Sequence, residues 1–261
     1  MHDTAIVIPC YNEAARLVPG EFLAYACHNE TVNFLFVNDC STDDTGGVLD
    51  ELCRQRPGQL QALHLPHNLG KAGAVRAGFL QAFSEGYEAI GFWDADLATP
   101  LAEIKPFRAL LAEGCCQMVF GSRVRLLGRR IERRTARHYL GRIFASVASL
   151  LLGLTIYDTQ CGAKLFANTK ELRQIFAQEF TVNWIFDVEL LARYLLLTKD
   201  QGAAPLAEIA CEYPLPQWRD MPGSKLKAKD FGLAVIEMAT IWSQLRGGWL
   251  AAWLGLRRSN R

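Results

Sequence analysis

Residues 89–96 read Ala89-Ile-Gly-Phe-Trp93-Asp-Ala-Asp96, an apolar run that ends in two carboxylates one residue apart. A short unbroken apolar run of this kind is a strand covered on both faces, the habit of parallel sheets packed between helices. The pattern repeats upstream. Thr4 to Ile8 is an apolar strand stopped by Pro9, and an amphipathic helix is expected from Asn12-Glu13 to about Tyr25. Asn33 to Val37 is a second strand, ended by the turn-rich Asn38–Gly46, with a helix over Gly47–Arg56. Ala62 to Leu65 is a third strand, followed by the loop His67–Lys71 and an Ala- and Gly-rich helix through Glu85. Alternating strand and helix define an α/β fold with a parallel sheet and crossover helices. Ligands of such sheets lie at the carboxyl ends of the strands. Tyr11–Glu13, Asn38-Asp39, Lys71 and Asp94-Ala-Asp96 all fall at that edge.

The second half is less regular. A helix is expected over Pro100–Gly114, strands over Met118–Phe120 and Ala163–Phe166, and a helix over Phe186–Leu197 that carries Asp187. A late strand over Ala207–Tyr213, a Pro- and Gly-bearing loop over Pro214–Ser224 and a helical C-terminus from Lys225 complete the reading. The 261 residues are half hydrophobic and 21% charged, the balance of a folded globular protein, which excludes disorder and a collagen-like repeat. Eight scattered cysteines with no CxxC pair offer neither a zinc site nor a disulfide framework and fit a reducing cytosol. No signal peptide is expected from the first segment. The net charge of +1 hides an asymmetry: residues 123–142 hold eight arginines and one acid, while the other 20 basic and 26 acidic residues leave a charge of −6. Such a patch attracts phosphate, whether of nucleic acid, lipid or nucleotide.

Asp94 and Asp96 point the same way from a strand end and repel unless a cation joins them. Oxygen-only ligation suits Mg2+ or Mn2+, and the bland alternative is a solvated turn or helix cap. Asp39 could accept from a ribose hydroxyl or a base N–H, or cap a turn, the role expected of Asp43 and Asp44. Pro9-Cys-Tyr11-Asn-Glu13 supplies an aromatic face and a carboxylate, as a nucleoside pocket needs, but equally suits a helix entry. Asn68-Leu-Gly-Lys71-Ala-Gly73 is neither a P-loop nor a GxGxxG fingerprint, and Lys71 could meet a nucleotide or simply be exposed. The arginine run has no nucleic-acid recognition module beside it. The adjoining Tyr139–Leu154 run is too short and interrupted to span a bilayer but suits its surface. Glu237, Gln244 and Arg246 likewise break any membrane span near the C-terminus, where Trp242, Trp249, Trp253 and Arg257-Arg258 suit an interfacial anchor or a core helix.

Taken together these residues resemble the family-2 glycosyltransferases of GT-A fold. Ile8-Pro-Cys-Tyr-Asn-Glu13, Val37-Asn-Asp-Cys-Ser-Thr-Asp43, Asn68-Leu-Gly-Lys71 and Asp94-Ala-Asp96 follow that family's motif order. Gly121-Ser-Arg123, Asp158-Thr-Gln-Cys-Gly-Ala-Lys-Leu-Phe166, Phe186-Asp-Val-Glu-Leu190 and Trp218-Arg-Asp-Met-Pro-Gly-Ser-Lys225 are similar to its polyprenyl-phosphate members, the dolichyl-phosphate β-glucosyltransferases above all. The resemblance covers about residues 4–230. It implies a mostly parallel sheet flanked by helices, with amphipathic helices at a membrane interface. The catalytic domain is expected over 1–230, with its basic acceptor- and membrane-facing segment at about 123–155, and an amphipathic tail over 231–261.

The implied reaction moves glucose from UDP-glucose onto polyprenyl or dolichyl phosphate with inversion. Mannose, GlcNAc or galactose on the same acceptor, or a hydroxyl acceptor of a cell-surface glycan, are the rivals. The donor is expected to meet Pro9, Tyr11, Glu13, Asp39, Lys71, Asp94, Ala95, Asp96, Ser224 and Lys225. Asp96, with Asp94, would hold Mg2+ or Mn2+, Arg123, Arg133 and Arg137 would seat the acceptor phosphate, and Asp187 would orient sugar or arginine. Asp220 replaces a more usual Glu, and Ala98 stands where mannosyl-phosphate enzymes carry a metal-binding Gln, which argues against mannose. The N-terminal membrane helix of the eukaryotic members is not seen in this sequence. The expected place is therefore the cytoplasmic face of a membrane, held peripherally through an anionic lipid surface or a membrane-protein partner, with no nucleic acid involved.

Overall fold

The computed structural model describes residues 3–132, 135–221 and 228–247. Its centre is β1 (Thr4–Cys10), flanked in parallel by β2 (Val32–Asn38) and β4 (Ala89–Trp93), with β3 (Leu60–His64) parallel beyond β2. On the other side β7 (Ala163–Ala167) runs antiparallel between β4 and β5 (Met118–Ser122), and β8 (Ala210–Pro214) lies parallel to β5 at the far edge. The order is β3-β2-β1-β4-β7-β5-β8, and β7 alone runs against the other six. A second sheet pairs only β6 (Arg130–Glu132) with β9 (Gln217–Arg219).

Alternation along β1 divides the core. Ile6 and Ile8 face α1 (Pro19–His28), α2 (Thr45–Gln55) and α4 (Ile104–Ala112), joined there by Phe22, Phe34, Phe36, Leu49 and Phe107. Ala5 and Val7 face α3 (Gly70–Glu85), α6 (Lys170–Ala177) and α7 (Phe186–Gln201), where Phe79, Phe92, Phe166 and Phe176 pack. Both faces of the sheet are thus dry, which is why its strands read as continuous apolar runs. The small residues of α3 let it lie close on β1: a Cβ at Gly78 would fall 2.4 Å from Val7 Cγ1.

Four expectations shift. The first helix starts at Pro19 rather than Asn12. The backbone at Asn12 has φ +52°, and the N–H groups of Asn12, Glu13 and Ala14 bond to Ser41 Oγ, Thr45 Oγ1 and Asp43 Oδ2, so the residues after β1 are pinned to the β2–α2 turn and cannot coil. Proline then supplies the favoured first helical φ. The helix expected from Pro100 begins as a 3-10 turn over Leu101–Glu103. The strand expected from Ala207 starts with a helical turn, α8 (Leu206–Ile209), before β8. The loop Pro214–Ser224 contains β9 in its described part. Two elements had gone unread: β6 is three residues long, and α6 is capped by Thr169, whose hydroxyl accepts from Leu172 N–H at 3.2 Å.

Two further helices finish the chain. The apolar run after the arginines is α5 (Thr135–Leu152), and the C-terminal helix is α9 (Ala228–Gly247), so the expected division at residue 230 falls inside α9. Both pack on α7. No helix among the described residues is long and apolar enough to cross a membrane. The polarity of α9 is inverted. Glu237 and Gln244 face inward, buried with Ala234, Met238 and Ile241, while Val235, Ile236 and Trp242 are exposed. The Glu237 carboxylate accepts from the N–H groups of Asn183, Trp184 and Ile185 at 3.0–3.3 Å, the start of the turn into α7. Trp249, Trp253 and Arg257-Arg258 lie outside the described residues. Because three donors depend on one carboxylate, Glu237→Ala is expected to cost about 2–3 kcal/mol, read as a lower urea midpoint with an unchanged slope.

Candidate active site

The carboxyl edge of β1, β2 and β4 forms a cleft of two compartments that share Lys71, Asp94 and Asp96. The first is lined by Pro9, Tyr11, Glu13, Arg16, Asp39 and Ala95. Its floor is made by cross-bonded turns: Asn12 Oδ1 accepts from Thr42 N–H at 2.8 Å, and Asp43 accepts from Thr45 N–H at 3.0 Å. Asp43 therefore has the turn-capping role expected of it. Asp39 is 2% exposed, and its Oδ1 accepts from Leu69 N–H at 2.7 Å, while Asn68 Nδ2 donates to the Asp39 carbonyl at 3.1 Å. The loop before α3 is thereby tied to the end of β2. Tyr11, 39% exposed, offers this compartment a broad aromatic face.

Asp94 and Asp96 stand at the wall between the compartments. Asp94 N–H donates to the Gly162 carbonyl at 2.9 Å, and a Cβ on Gly162 would lie 1.8 Å from Asp94 Oδ2. Gly162, on the loop before β7, is therefore the residue that lets this carboxylate occupy its place. Lys71 Nζ meets Asp94 Oδ1 at 2.6 Å. The crowded cleft works against the Lys71 charge, but Asp94, followed by Asp187 and Asp96, holds its pKa above the ordinary value. Asp96 is turned by an N–H bond from Ala98 at 3.1 Å across Leu97, whose φ is +52°. Arg16 joins Asp96 Oδ2 at 2.9 Å and Glu13 Oε1 at 3.2 Å. Burial and then the Asp94 charge raise the Asp96 pKa, against the pull of Ala98 N–H, Arg16 and Lys71. Two carboxylates that repel and each recruit a cation fit a divalent ion with oxygen ligands. No group of three or more His, Cys, Asp or Glu among the described residues is arranged to hold one, so such an ion would draw its other ligands from substrate and water.

The second compartment is lined by Ala98, Arg123, Arg142, Tyr157, Asp158, Asp187, Trp184, Trp218 and Asp220 among others. Arg123 grips Asp158 in a bidentate pair, Nε to Oδ2 at 2.6 Å and Nη2 to Oδ1 at 2.7 Å, and lies 5.3 Å over Trp218. Burial opposes the Arg123 charge, but Asp158 outweighs it and holds the pKa above its ordinary value. Glu212 on β8 accepts from the N–H groups of Tyr157 and Asp158 at 2.8 Å each. Asp187, at the first turn of α7, pairs with Lys164 Nζ at 2.6 Å, both nearly buried. The Cys161 thiol is buried and its pKa pushed up to about 11 by that burial, so it is no nucleophile.

The cleft thus brings together Pro9, Tyr11, Glu13, Asp39, Lys71, Asp94, Ala95, Asp96, Arg123 and Asp187. Arg133, Ser224 and Lys225 lie outside the described residues, and the side chain of Arg137, on α5, does as well. Arg16, Lys164, Asp158 and Gly162 escaped the sequence reading as individual site residues. Two had a signal: a lysine inside the apolar strand Ala163–Ala167 requires a buried partner, and Arg16 stands i+3 from Glu13.

The fold is similar to that of solved structures of two sugar-handling enzymes. Glucosyl-3-phosphoglycerate synthase from Mycobacterium tuberculosis, in complex with Mn2+, UDP-glucose and phosphoglyceric acid, superposes with a TM-score of 0.63 at 17% identity over 94% of this chain and 80% of that one. A mannosyltransferase from Pyrobaculum calidifontis, in complex with GDP-Man and Mn2+, does so at 0.57 and 16% identity, over 92% and 63%. The sequence profile of Glycosyl transferase family 2 matches residues 5–182, and the chain belongs to that family. It is a glycosyltransferase. Dolichyl-phosphate beta-glucosyltransferase of Trichomonas vaginalis is 32% identical over 94% of this chain and 72% of its own length. The enzyme of that name from Homo sapiens is 32% identical over 85% and 69%.

Burial, the largest influence, raises the Asp39 pKa above its ordinary 3.8, with the Leu69 and Gly70 N–H groups and His67 pulling back. The folded state therefore holds this proton more tightly than the unfolded chain, and ionised Asp39 costs stability wherever it is charged. Asp39→Asn retains an acceptor for Leu69 N–H. The variant is expected to unfold at higher urea than wild type at pH 7, with the advantage lost as pH falls through the raised Asp39 pKa toward 3.8.

Proposed function

We propose that this chain transfers glucose from UDP-glucose to a polyprenyl phosphate of the dolichyl class at a membrane surface, with inversion at the anomeric carbon. The observation that carries the reading is the two-compartment cleft. One side offers Tyr11, Glu13 and Asp39 to a nucleoside, and the other opens toward α5, whose Ile143, Val147 and Leu150 are exposed. The relatives' names supply the sugar and the lipid, and the neighbours' complexes supply the uridine donor and a divalent cation. Asp96 and Asp94 would hold Mg2+ or Mn2+, which would neutralise charge on the diphosphate as it departs.

The chain's own residues then have defined work. Lys71, bonded to Asp94, faces the diphosphate as a fixed cation. Arg123 and Glu212 order the Asp158–Gly162 loop that sets Asp94. Asp94, Asp96, Asp158, Asp187 and Asp220 line the second compartment, and the first four each meet a cation of the chain, so none of these four is poised as a general base. A phosphate monoester needs none, because its second pKa is about 6. One acceptor oxygen bonds to C1 of glucose as the bond from C1 to the diphosphate oxygen breaks, that electron pair leaves with UDP, and no proton moves. The orienting of these two groups is the main rate term the protein supplies. The outward apolar residues of α5 and α9 rest on the lipid surface, with the exposed Arg129 and Arg130 toward its anionic headgroups. In this reading the protein sits peripherally on the cytoplasmic face of the membrane.

The test is transfer of radiolabelled sugar from a panel of UDP- and GDP-sugars to polyprenyl phosphate in detergent. Labelling from UDP-glucose that needs Mg2+ or Mn2+, and falls by more than roughly 100-fold in Asp96→Ala, is the expected result. Gly162→Ala should weaken Mn2+-dependent UDP binding by calorimetry by about tenfold or more, since its methyl displaces Asp94. Labelling from another donor alone would replace the sugar, and labelling of a hydroxyl acceptor but no lipid phosphate would replace the acceptor.

A further inference from the structure

The two carboxylates suited to a divalent ion are both engaged by the chain itself. Asp94 Oδ1 is met by Lys71 Nζ at 2.6 Å. Asp96 Oδ1 accepts from Ala98 N–H at 3.1 Å, and Asp96 Oδ2 accepts from Arg16 Nη2 at 2.9 Å. The other terminal nitrogen of Arg16, Nη1, donates to Glu13 Oε1 at 3.2 Å. One guanidinium thus joins the nucleoside side of the cleft to the acidic pair. No group of the relatives' motif set suggests this link, because Arg16 lies on the turn after β1 and Asp96 lies beyond β4.

A guanidinium keeps its charge at any physiological pH, so Arg16 cannot vacate Asp96 by losing a proton. A divalent ion that takes Asp96 Oδ2 must move it, since a positive charge left 2.9 Å from that oxygen would repel the ion. The side chain has the means to move. It is 23% exposed, its backbone N–H is fixed to the Glu13 carbonyl at 2.9 Å, and the Glu13 carboxylate gives its far end a second partner to turn about. Charge counting favours two ligands arriving together. Glu13, Asp94 and Asp96 against Arg16 and Lys71 leave a single net negative charge in this compartment. A divalent ion alone reverses that sign, and a nucleotide diphosphate restores it. Arg16 lines the compartment that the nucleotide would fill, so a donor edge released from Asp96 has an anion to meet there.

We propose that Arg16 is the resident counter-ion of the metal site, holding Asp96 until a divalent cation and a nucleoside diphosphate bind together. Arg16 is then a positioning residue that makes metal and nucleotide depend on each other. The proposal rests on the cation and donor of the function proposed above and is independent of the sugar and the acceptor.

The test follows unbound Mn2+ by its electron paramagnetic resonance signal as the full chain is titrated, with and without UDP. Wild type should bind Mn2+ weakly alone and at least about tenfold more tightly with UDP. Arg16→Gln, which keeps an amide for Glu13, should bind Mn2+ alone about tenfold more tightly than wild type and lose most of the UDP effect, while Arg16→Lys should stay near wild type. Adding Asp96→Asn to Arg16→Gln should abolish the gain, which locates it at this carboxylate. Mn2+ should also raise the melting temperature of Arg16→Gln more than that of wild type. A strut with no part in metal binding predicts otherwise: unchanged or weaker Mn2+ binding in Arg16→Gln overturns the proposal, as does an undiminished UDP effect. Arg16→Gln that gains Mn2+ affinity in a chain that binds no UDP would uphold the counter-ion and retire the donor. Sugar transfer by wild type, with Mn2+ affinity indifferent to Arg16→Gln, would do the reverse.

Discussion

The contact between Asp94 and the Gly162 backbone is the constraint on which the cleft depends. β4 can deliver an acidic pair to the sheet edge by itself, but the position of the first carboxylate is decided by a loop from the antiparallel strand β7. That loop is in turn held by Arg123, Asp158 and Glu212, which come from β5, the loop itself and β8. Lys71, Asp187 and Lys164 are drawn into register around the result. The two halves of the chain therefore meet at one carboxylate. A site made this way is preorganised by hydrogen bonds and ion pairs outside the reacting groups, the form of catalysis that works without large motions.

Pairing four of the cleft's carboxylates with resident cations has a second effect. Several carboxylates in one cleft would otherwise raise one another's pKa and repel an anionic diphosphate. With Arg16 on Asp96, Lys71 on Asp94, Arg123 on Asp158 and Lys164 on Asp187, the local field is close to balanced before any ligand arrives. Partly buried pairs of this kind add little to stability, because desolvation offsets most of their attraction. Their value is positional, and their loss one at a time is costly because the partner charge stays behind.

The first half of the fold was legible because its signals are local. Four apolar runs, each followed by a polar turn, located β1 to β4 to within two residues at either end, and β4 itself, Ala89–Trp93, came out with the observed bounds. Pro9, Tyr11, Asp39, Lys71, Asp94 and Asp96 could be placed at one edge for the same reason. What failed was decided by distance in sequence. Asn12 does not start a helix because Ser41 and Thr45 hold its neighbours, and nothing between residues 12 and 20 reveals that. The partners of Arg123 and Asp187 lie on the Asp158–Gly162 loop and on β7, far along the chain, so neither ion pair could be read from the local sequence. In α9, Glu237 and Gln244 were correctly seen to break a membrane span, but composition does not say which side of a helix faces in. The three backbone N–H groups at the start of α7 decide it.

The antiparallel course of β7 also bears on how the chain acquires its structure. The parallel strands β1 to β4 can assemble from contacts close in sequence, whereas β7 must return between β4 and β5 after the long excursion through α5. Contacts of high sequence separation form late, because loop closure must precede them. Asp94 reaches its final place only when Gly162 arrives, so a nascent or partly folded chain can hold β1 to β4 without a working acidic pair. Completion of the sheet and competence of the site are then one event, and an incompletely folded copy is silent toward its substrates.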